Sequence, residues 1–222
     1  MSDTRPSKTQ SSPASPTDSP AAPTLVFTEV VRRFGRLPVL GGVSATVQAG
    51  EVLLVTGRNG SGKSTLLKCL AGLLAADRGE IELRLGERAL SPRERRHAVG
   101  YAAPDMAYYE ELSTRENLLF FARLRRVEEA RVDELLDRVG LPPGREAGAL
   151  SSGMLQRLRW CGAVLHRPPL LLLDEPFQNL DDPGRETGRQ MLEEHLGHGL
   201  AVVANPGPLD LPYVTQHLQL AG

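Results

Sequence analysis

The sequence predicts an α/β fold with a mostly parallel sheet, an antiparallel β subdomain and an inserted block of helices, on three observations. A short apolar run, Val52 to Val55, feeds a glycine-rich loop and then a helix-patterned stretch from Leu66 to Leu74. A second apolar run, Leu170 to Leu173, ends in the acids Asp174 and Glu175. Between the two lie segments with helical periodicity, and before the first run residues alternate apolar and polar. Unbroken apolar runs bounded by turns read as strands buried on both faces, whereas alternation reads as a strand with one wet face.

The loop after the first run is Gly57-Arg58-Asn59-Gly60-Ser61-Gly62-Lys63-Ser64-Thr65, spaced G-x-x-x-x-G-K-S. Glycines at 57, 60 and 62 adopt backbone angles that other residues resist and let N–H groups approach phosphate oxygens. A helix starting at the loop's end adds unpaired N–H donors and a partial positive charge. In that strand, loop and helix context, Lys63 is expected to reach the β and γ phosphates of a nucleotide and the Ser64 hydroxyl to ligate magnesium. The core is therefore expected to be a P-loop NTPase, with ATP and Mg2+ as cofactors.

Composition narrows the partners. The 222 residues suit one large domain, and 41% hydrophobic with 24% charged residues is ordinary for a water-soluble protein. A formal net charge of −1 leaves no basic footprint, so no nucleic acid is expected. The two cysteines, Cys69 and Cys161, are far apart inside helix-patterned stretches and read as small buried apolar residues rather than metal ligands. His195 and His198 flank an expected helix end, where a histidine favours the helix dipole. No apolar run approaches the ~20 residues that span a bilayer, and no signal-peptide pattern opens the chain, so it is expected in the cytoplasm with any membrane role supplied by a partner.

Taken in order, residues 1–23 are rich in Ser, Pro, Thr and Ala and are expected to be a disordered tail ahead of one domain over 24–222. Leu25 to Val31 and the alternating Val43, Ala45 and Val47 read as strands. Phe34, ahead of the glycine loop, fits either a stacking contact with an adenine face or a plain core position. Ile81, Leu83 and Leu85 alternate with polar neighbours and read as a further edge strand, and Ala98 to Tyr101 as another short strand. Ser113 and Glu116 form a capping box that opens a helix running to about Arg126. Val132, Leu135, Leu136 and Val139 share one face of a second helix closed by Gly140. These helices fall in an expected helical subdomain over about 105–166.

Leu150-Ser151-Ser152-Gly153-Met154-Leu155-Gln156-Arg157 then opens a helix with Met154, Leu158, Cys161 and Leu165 on one side, its serines and bare glycine at the N-terminus. The leucine run delivers Asp174 and Glu175 to the carboxyl edge of a parallel sheet, where ligands bind in open α/β folds. Asp174 is expected to hold magnesium and Glu175 to act as general base on the attacking water. A helix from about Pro183 to Leu196, a last core strand Ala201 to Ala204 tipped by Asn205, and a strand-like Tyr213 to Leu220 complete the chain.

The phosphate loop, the Leu150 to Arg157 signature and the acids after the leucine strand stand in one order that resembles the nucleotide-binding subunit of ATP-binding-cassette transporters, over about residues 24–220. The likeness implies that Phe34 stacks on adenine and that Asp181 belongs to the loop following the catalytic strand. It implies also that two such subunits, identical or not, sandwich two ATP molecules. Each ATP is then held by the phosphate loop of one subunit and Ser151 to Gly153 of the other. Closure would drive integral membrane subunits, placing the chain peripherally on the cytoplasmic face of the inner membrane. Two positions depart from the family pattern. A glutamine is usual where this chain has Ala103-Pro104-Asp105, and a histidine near the γ-phosphate where it has Asn205. Asparagine donates a hydrogen bond but carries no titratable proton, so ATP binding is expected to survive with slower turnover. The Tyr109 to Leu118 segment, the Ser-Ser-Gly-Met signature and the Ala-Asn pair are similar to one branch, the haem-exporter ATPase of bacterial cytochrome c maturation. Other exporters of drug or lipid type, and soluble cassettes without a transport role, are the competing readings. The second is disfavoured by the single cassette and the lack of a long arm between the motifs.

Overall fold

The computed structural model describes residues 21–220. Most of the tail expected over 1–23 lies outside the described residues, and at its end Pro23 already opens the first strand. The strands are β1 (Pro23–Phe34), β2 (Leu37–Gln48), β3 (Val52–Thr56), β4 (Arg78–Leu85), β5 (Arg88–Ala89), β6 (Val99–Ala102), β7 (Leu170–Asp174), β8 (Leu200–Asn205) and β9 (Val214–Gln219). The helices are α1 (Lys63–Ala71), α2 (Pro92–Ala98), α3 (Thr114–Arg125), α4 (Ala130–Val139), α5 (Ser152–Val164) and α6 (Asp182–Leu196).

Two sheets form. The antiparallel one runs β2-β1-β4-β5, and the other, β6-β7-β8-β3-β9, is parallel throughout. Period-two geometry sorts the parallel strands between two cores. Leu53, Val55, Leu170, Leu172, Leu200 and Val202 face α1 and the antiparallel sheet. Val52, Leu54, Leu171, Leu173, Ala201 and Val203 face the helical side, with Trp160, Met191 and Leu192. Burial on both faces is why these strands read as unbroken apolar runs rather than as alternation.

Several sequence expectations change. The Ile81 to Leu85 strand is not an edge, because β5 pairs with β4 over two residues. The strand expected over Tyr213 to Leu220 forms as β9, over Val214–Gln219, and joins the sheet beside β3. The charged stretch 92–98 is helix α2, opened by a Ser91–Glu94 capping box with Pro92 in its first turn. Local signals elsewhere hold: Ser113 and Glu116 cap α3 reciprocally, and Gly140 closes α4 in the left-handed conformation. Cys69 and Cys161 are both buried, and burial pushes the Cys161 thiol up to about 12. Among the described residues no helix is long and apolar enough to cross a membrane.

His195 also departs from its expected role as a cation at a helix end. It is buried in the last turn of α6, with Nε2 3.0 Å from the Leu200 carbonyl oxygen and the His198 ring edge-on at 5.0 Å. Burial pushes its pKa down to about 4, so the ring is neutral at pH 7. An unfolded histidine titrates near ~6.5, so between about 4 and that value the unfolded chain binds more protons. The stability contributed by neutral His195 is complete above this window and lost as pH falls through it. Denaturant unfolding is expected to show stability falling from pH 7 to pH 4, with His195→Gln, which keeps a donor for Leu200, flattening the slope. An unchanged slope in the variant would contradict the assignment.

Candidate functional site

The carboxyl ends of the parallel strands converge on one side of the sheet, and the chemistry-bearing residues sit there. β3 ends at Thr56 and the chain turns through Gly57 to Gly62 into α1. Gly57 has φ +153° and Gly62 φ +98°. A Cβ on Gly57 would lie 2.5 Å from Ser61 Oγ, and one on Gly62 would lie 2.8 Å from the Val39 carbonyl oxygen of β2. The antiparallel hairpin therefore braces the loop from behind, and only glycine fits. The Lys63 ammonium donates to the carbonyls of Gly57 at 2.7 Å and Arg58 at 3.0 Å. Ser61 Oγ is buried with no partner inside the described chain.

Asp174 is 3% exposed at the end of β7. Burial raises its pKa, while the Ser64 hydroxyl hydrogen bond and the Lys63 charge favour the ionised form and oppose that rise. β8 separates β3 from β7, and α1, which follows the loop after β3, packs against both β8 and β7. Glu175 follows with φ +48°, a backbone strain that surrounding contacts must hold. Its N–H donates to the Ala204 carbonyl at 2.9 Å and its own carbonyl accepts from Gln178 N at 3.1 Å. Glu175, Val39, Asn59, Gly60, Gly62, Lys63, Ser64 and Thr65 line one depression of about 350 Å³.

Other expected residues lie outside that depression. Arg58 is exposed and contributes its carbonyl to Lys63. Phe34 is 50% exposed, so the core alternative falls, and the Arg32 guanidinium covers its ring at 4.9 Å. Asn205 ends β8 but donates its amide to the Gly207 carbonyl at 2.8 Å. Asp105 pairs with Lys68 of α1 at 2.6 Å. The signature packs against the turn after β7: Ser151 caps α5 by accepting from Met154 N, and a Cβ on Gly153 would meet the Asn179 carbonyl oxygen at 2.7 Å. The Asp181 carboxylate accepts from Gly184 N and from Arg157 at 2.6 Å, joining α6 to α5. Sequence reasoning missed Gln156, Arg159 and Trp160, whose side chains grip neighbouring loop carbonyls. A glutamine and an arginine three residues apart on an otherwise apolar helix were the available signal.

The residues fit the ligands that the loop implies. Ser61 Oγ has no internal partner, the first-turn N–H groups of α1 lack intrahelical acceptors, and the glycine cradle excludes side chains, all of which suits phosphate oxygens. A hydroxyl and a buried carboxylate, Ser64 at the start of α1 and Asp174 at the end of β7, are the hard oxygen donors that magnesium takes.

Fold and site together define an α/β protein with a glycine-rich loop and two acids gathered at the carboxyl edge of a parallel sheet. The family model described as ABC transporter matches residues 40–178. The sulfate/thiosulfate import ATP-binding protein CysA of Bradyrhizobium diazoefficiens is 38% identical over 82% of this chain and 55% of its own length. The cytochrome c biogenesis ATP-binding export protein CcmA of Xylella fastidiosa is 35% identical over 91% of this chain and 97% of its own. A solved structure of the ATP binding subunit of an ABC transporter is 28% identical, with a TM-score of 0.73 over 82% of this chain and 79% of that one. The chain spans a little over half the length of the first few curated relatives that it matches. This chain belongs to the ABC transporter family.

Gly62→Ala, which forces a left-handed alanine against the Val39 carbonyl, is expected to weaken ATP binding at least about tenfold, since one lost phosphate contact is worth ~1.5–3 kcal/mol. Isothermal titration checks this, and wild-type affinity in a folded variant would contradict the cradle.

Proposed function

We propose that the chain binds ATP with magnesium and hydrolyses it as the energy-supplying subunit of a membrane transporter. The observation that carries the reading is the convergence of Lys63, Ser64, Asp174 and Glu175 at the ends of β3 and β7. In this reading Gly57 to Thr65 wrap the phosphates, and Lys63 exchanges its loop carbonyls for β and γ oxygens. Bound magnesium would be held by Ser64 and Asp174 and would neutralise charge across the same oxygens. Glu175 accepts a proton from a water that attacks the γ-phosphorus, the bond to the bridging oxygen breaks, and ADP and phosphate leave. Asn205 serves near the γ-phosphate as a neutral donor, and the open face of Phe34 takes the adenine.

The remaining assignments extend this core. One cassette domain spans 24–222, with a helical subdomain over about 105–166. Ser151, Gly153 and Asp181 meet the ATP of a second cassette, bringing the α5 N-terminus to its phosphates. The chain sits on the cytoplasmic face of the inner membrane through integral membrane subunits. Haem export for cytochrome c maturation is the finer reading. It is supported by the Tyr109 to Leu118 segment, the Ser-Ser-Gly-Met and Ala-Asn variants, and similarity to the Xylella fastidiosa export protein along nearly its whole length.

Glu175→Gln is expected to lower phosphate release at least about a hundredfold while leaving ATP binding intact. The same variant, used with ATP as bait in detergent-solubilised membranes, should capture integral membrane subunits together with cytochrome c maturation factors. A different permease would retain transport and reject haem export. Ribosomes, or no membrane protein, would reject both.

A further inference from the structure

Resting on the reading of Glu175 as the base, we propose that Gln156 and Arg159 of α5 form a positioning relay that ties the backbone at Glu175 to the loop after β6. Gln156 is 1% exposed; its Nε2 donates to the Pro176 carbonyl at 3.0 Å and, at 3.4 Å, to the Glu175 carbonyl. Its Oε1 accepts from Arg159 Nη1 at 3.2 Å. The other terminal nitrogen of Arg159 donates to the Pro104 carbonyl and, at 3.4 Å, to that of Met106. Trp160, the next residue, donates Nε1 to the same Pro176 carbonyl at 2.8 Å. An unbroken chain of hydrogen bonds thus spans the carboxyl ends of the adjacent strands β6 and β7.

Burial alone does not account for these side chains. Arg159 is 8% exposed, and among the described residues it forms no ion pair; its partners are carbonyl oxygens and one amide oxygen. A buried guanidinium without a carboxylate costs stability that an apolar side chain of similar volume would not. What it provides is orientation. The planar fork presents several donors in fixed directions, fastening two loops to one helix. The Glu175 backbone sits at φ +48° and needs contacts that over-determine it, and Gln156 grips the carbonyls of the two successive residues Glu175 and Pro176. Neither Gln156 nor Arg159 lines the phosphate depression, so both act through Glu175 rather than on substrate. A shift of the 103–106 loop is therefore transmitted to the base, and alters turnover rather than ATP affinity.

The test is steady-state phosphate release by Gln156→Leu, Arg159→Met and the double variant, with Arg159→Lys as the conservative replacement. Each single variant is expected to lower kcat about tenfold to a hundredfold, the range of a small misplacement of a reacting group, with KM for ATP within about twofold. The double variant should be no slower than the slower single, because both residues belong to one relay. Arg159→Lys, retaining charge but not the fork, should recover part of the rate. Melting temperature and the emission of Trp160, the chain's single tryptophan, verify the fold. If Gln156→Leu does not fold, the two Arg159 variants carry the test. Wild-type kcat in folded variants, parallel loss of kcat and affinity, or multiplicative losses in the double variant would overturn the relay alone. Wild-type release that is insensitive to Glu175→Gln would instead overturn the hydrolytic reading, and the relay with it.

Discussion

Asp174 is a carboxylate buried at the end of an all-apolar strand, and much of the surrounding architecture makes that placement tolerable. Burial favours its neutral form; the Ser64 hydroxyl and the Lys63 charge favour the anion. Both compensating residues come from α1, which starts two strands away at the end of β3 and crosses β8 to reach β7. The parallel sheet fixes that crossing. Strands lie ~4.8 Å apart, so the two-strand step from β3 to β7 is about 10 Å, more than one helical turn rises, and the loop Gly57 to Gly62 and α1 span it together. A polar pair in an apolar setting is costly unless its remaining lone pairs find partners, and in the proposed reading a divalent cation with phosphate oxygens would provide them.

The second organising feature is α5, which reaches two loops from one helix. Its N-terminus, with Ser151 and Gly153, rests on the turn after β7, and Arg157 ties that turn to the start of α6 through Asp181. Its middle, with Gln156, Arg159 and Trp160, holds the loops after β6 and β7. The same element that offers an exposed N-terminus also fixes the backbone around Glu175. Rigid helices that touch several loops make movements of those loops interdependent, without requiring any change in the core behind them.

Much of this was legible in the sequence because its signals are local. A glycine loop between an apolar strand and a helix, capping boxes three residues apart, and acids closing a leucine run each depend on a few neighbouring residues. The features that escaped depend on long-range pairing. That β9 lies beside β3 follows from register across the sheet and not from the Val214–Gln219 pattern itself. The polar contacts of Gln156 and Arg159 were masked because apolar periodicity marks a single stripe, whereas α5 is enclosed on most sides. His195 read as a helix-end cation because proximity to a terminus is visible in sequence, whereas its burial under the α6–β8 turn is not. Helix α2 is the exception. Its capping box and first-turn proline were present in the sequence, but no apolar periodicity accompanied them.

In the proposed reading, Asp174 and Ser64 at the carboxyl edge of the sheet receive the magnesium of bound ATP. Equilibrium titration of ATP with and without Mg2+ into the wild-type chain and Asp174→Asn tests it directly. Magnesium should tighten ATP binding in the wild type, and the variant should lose most of that gain while keeping its metal-free affinity. A magnesium gain that survives in Asp174→Asn, or a wild-type chain that binds no ATP, would contradict it.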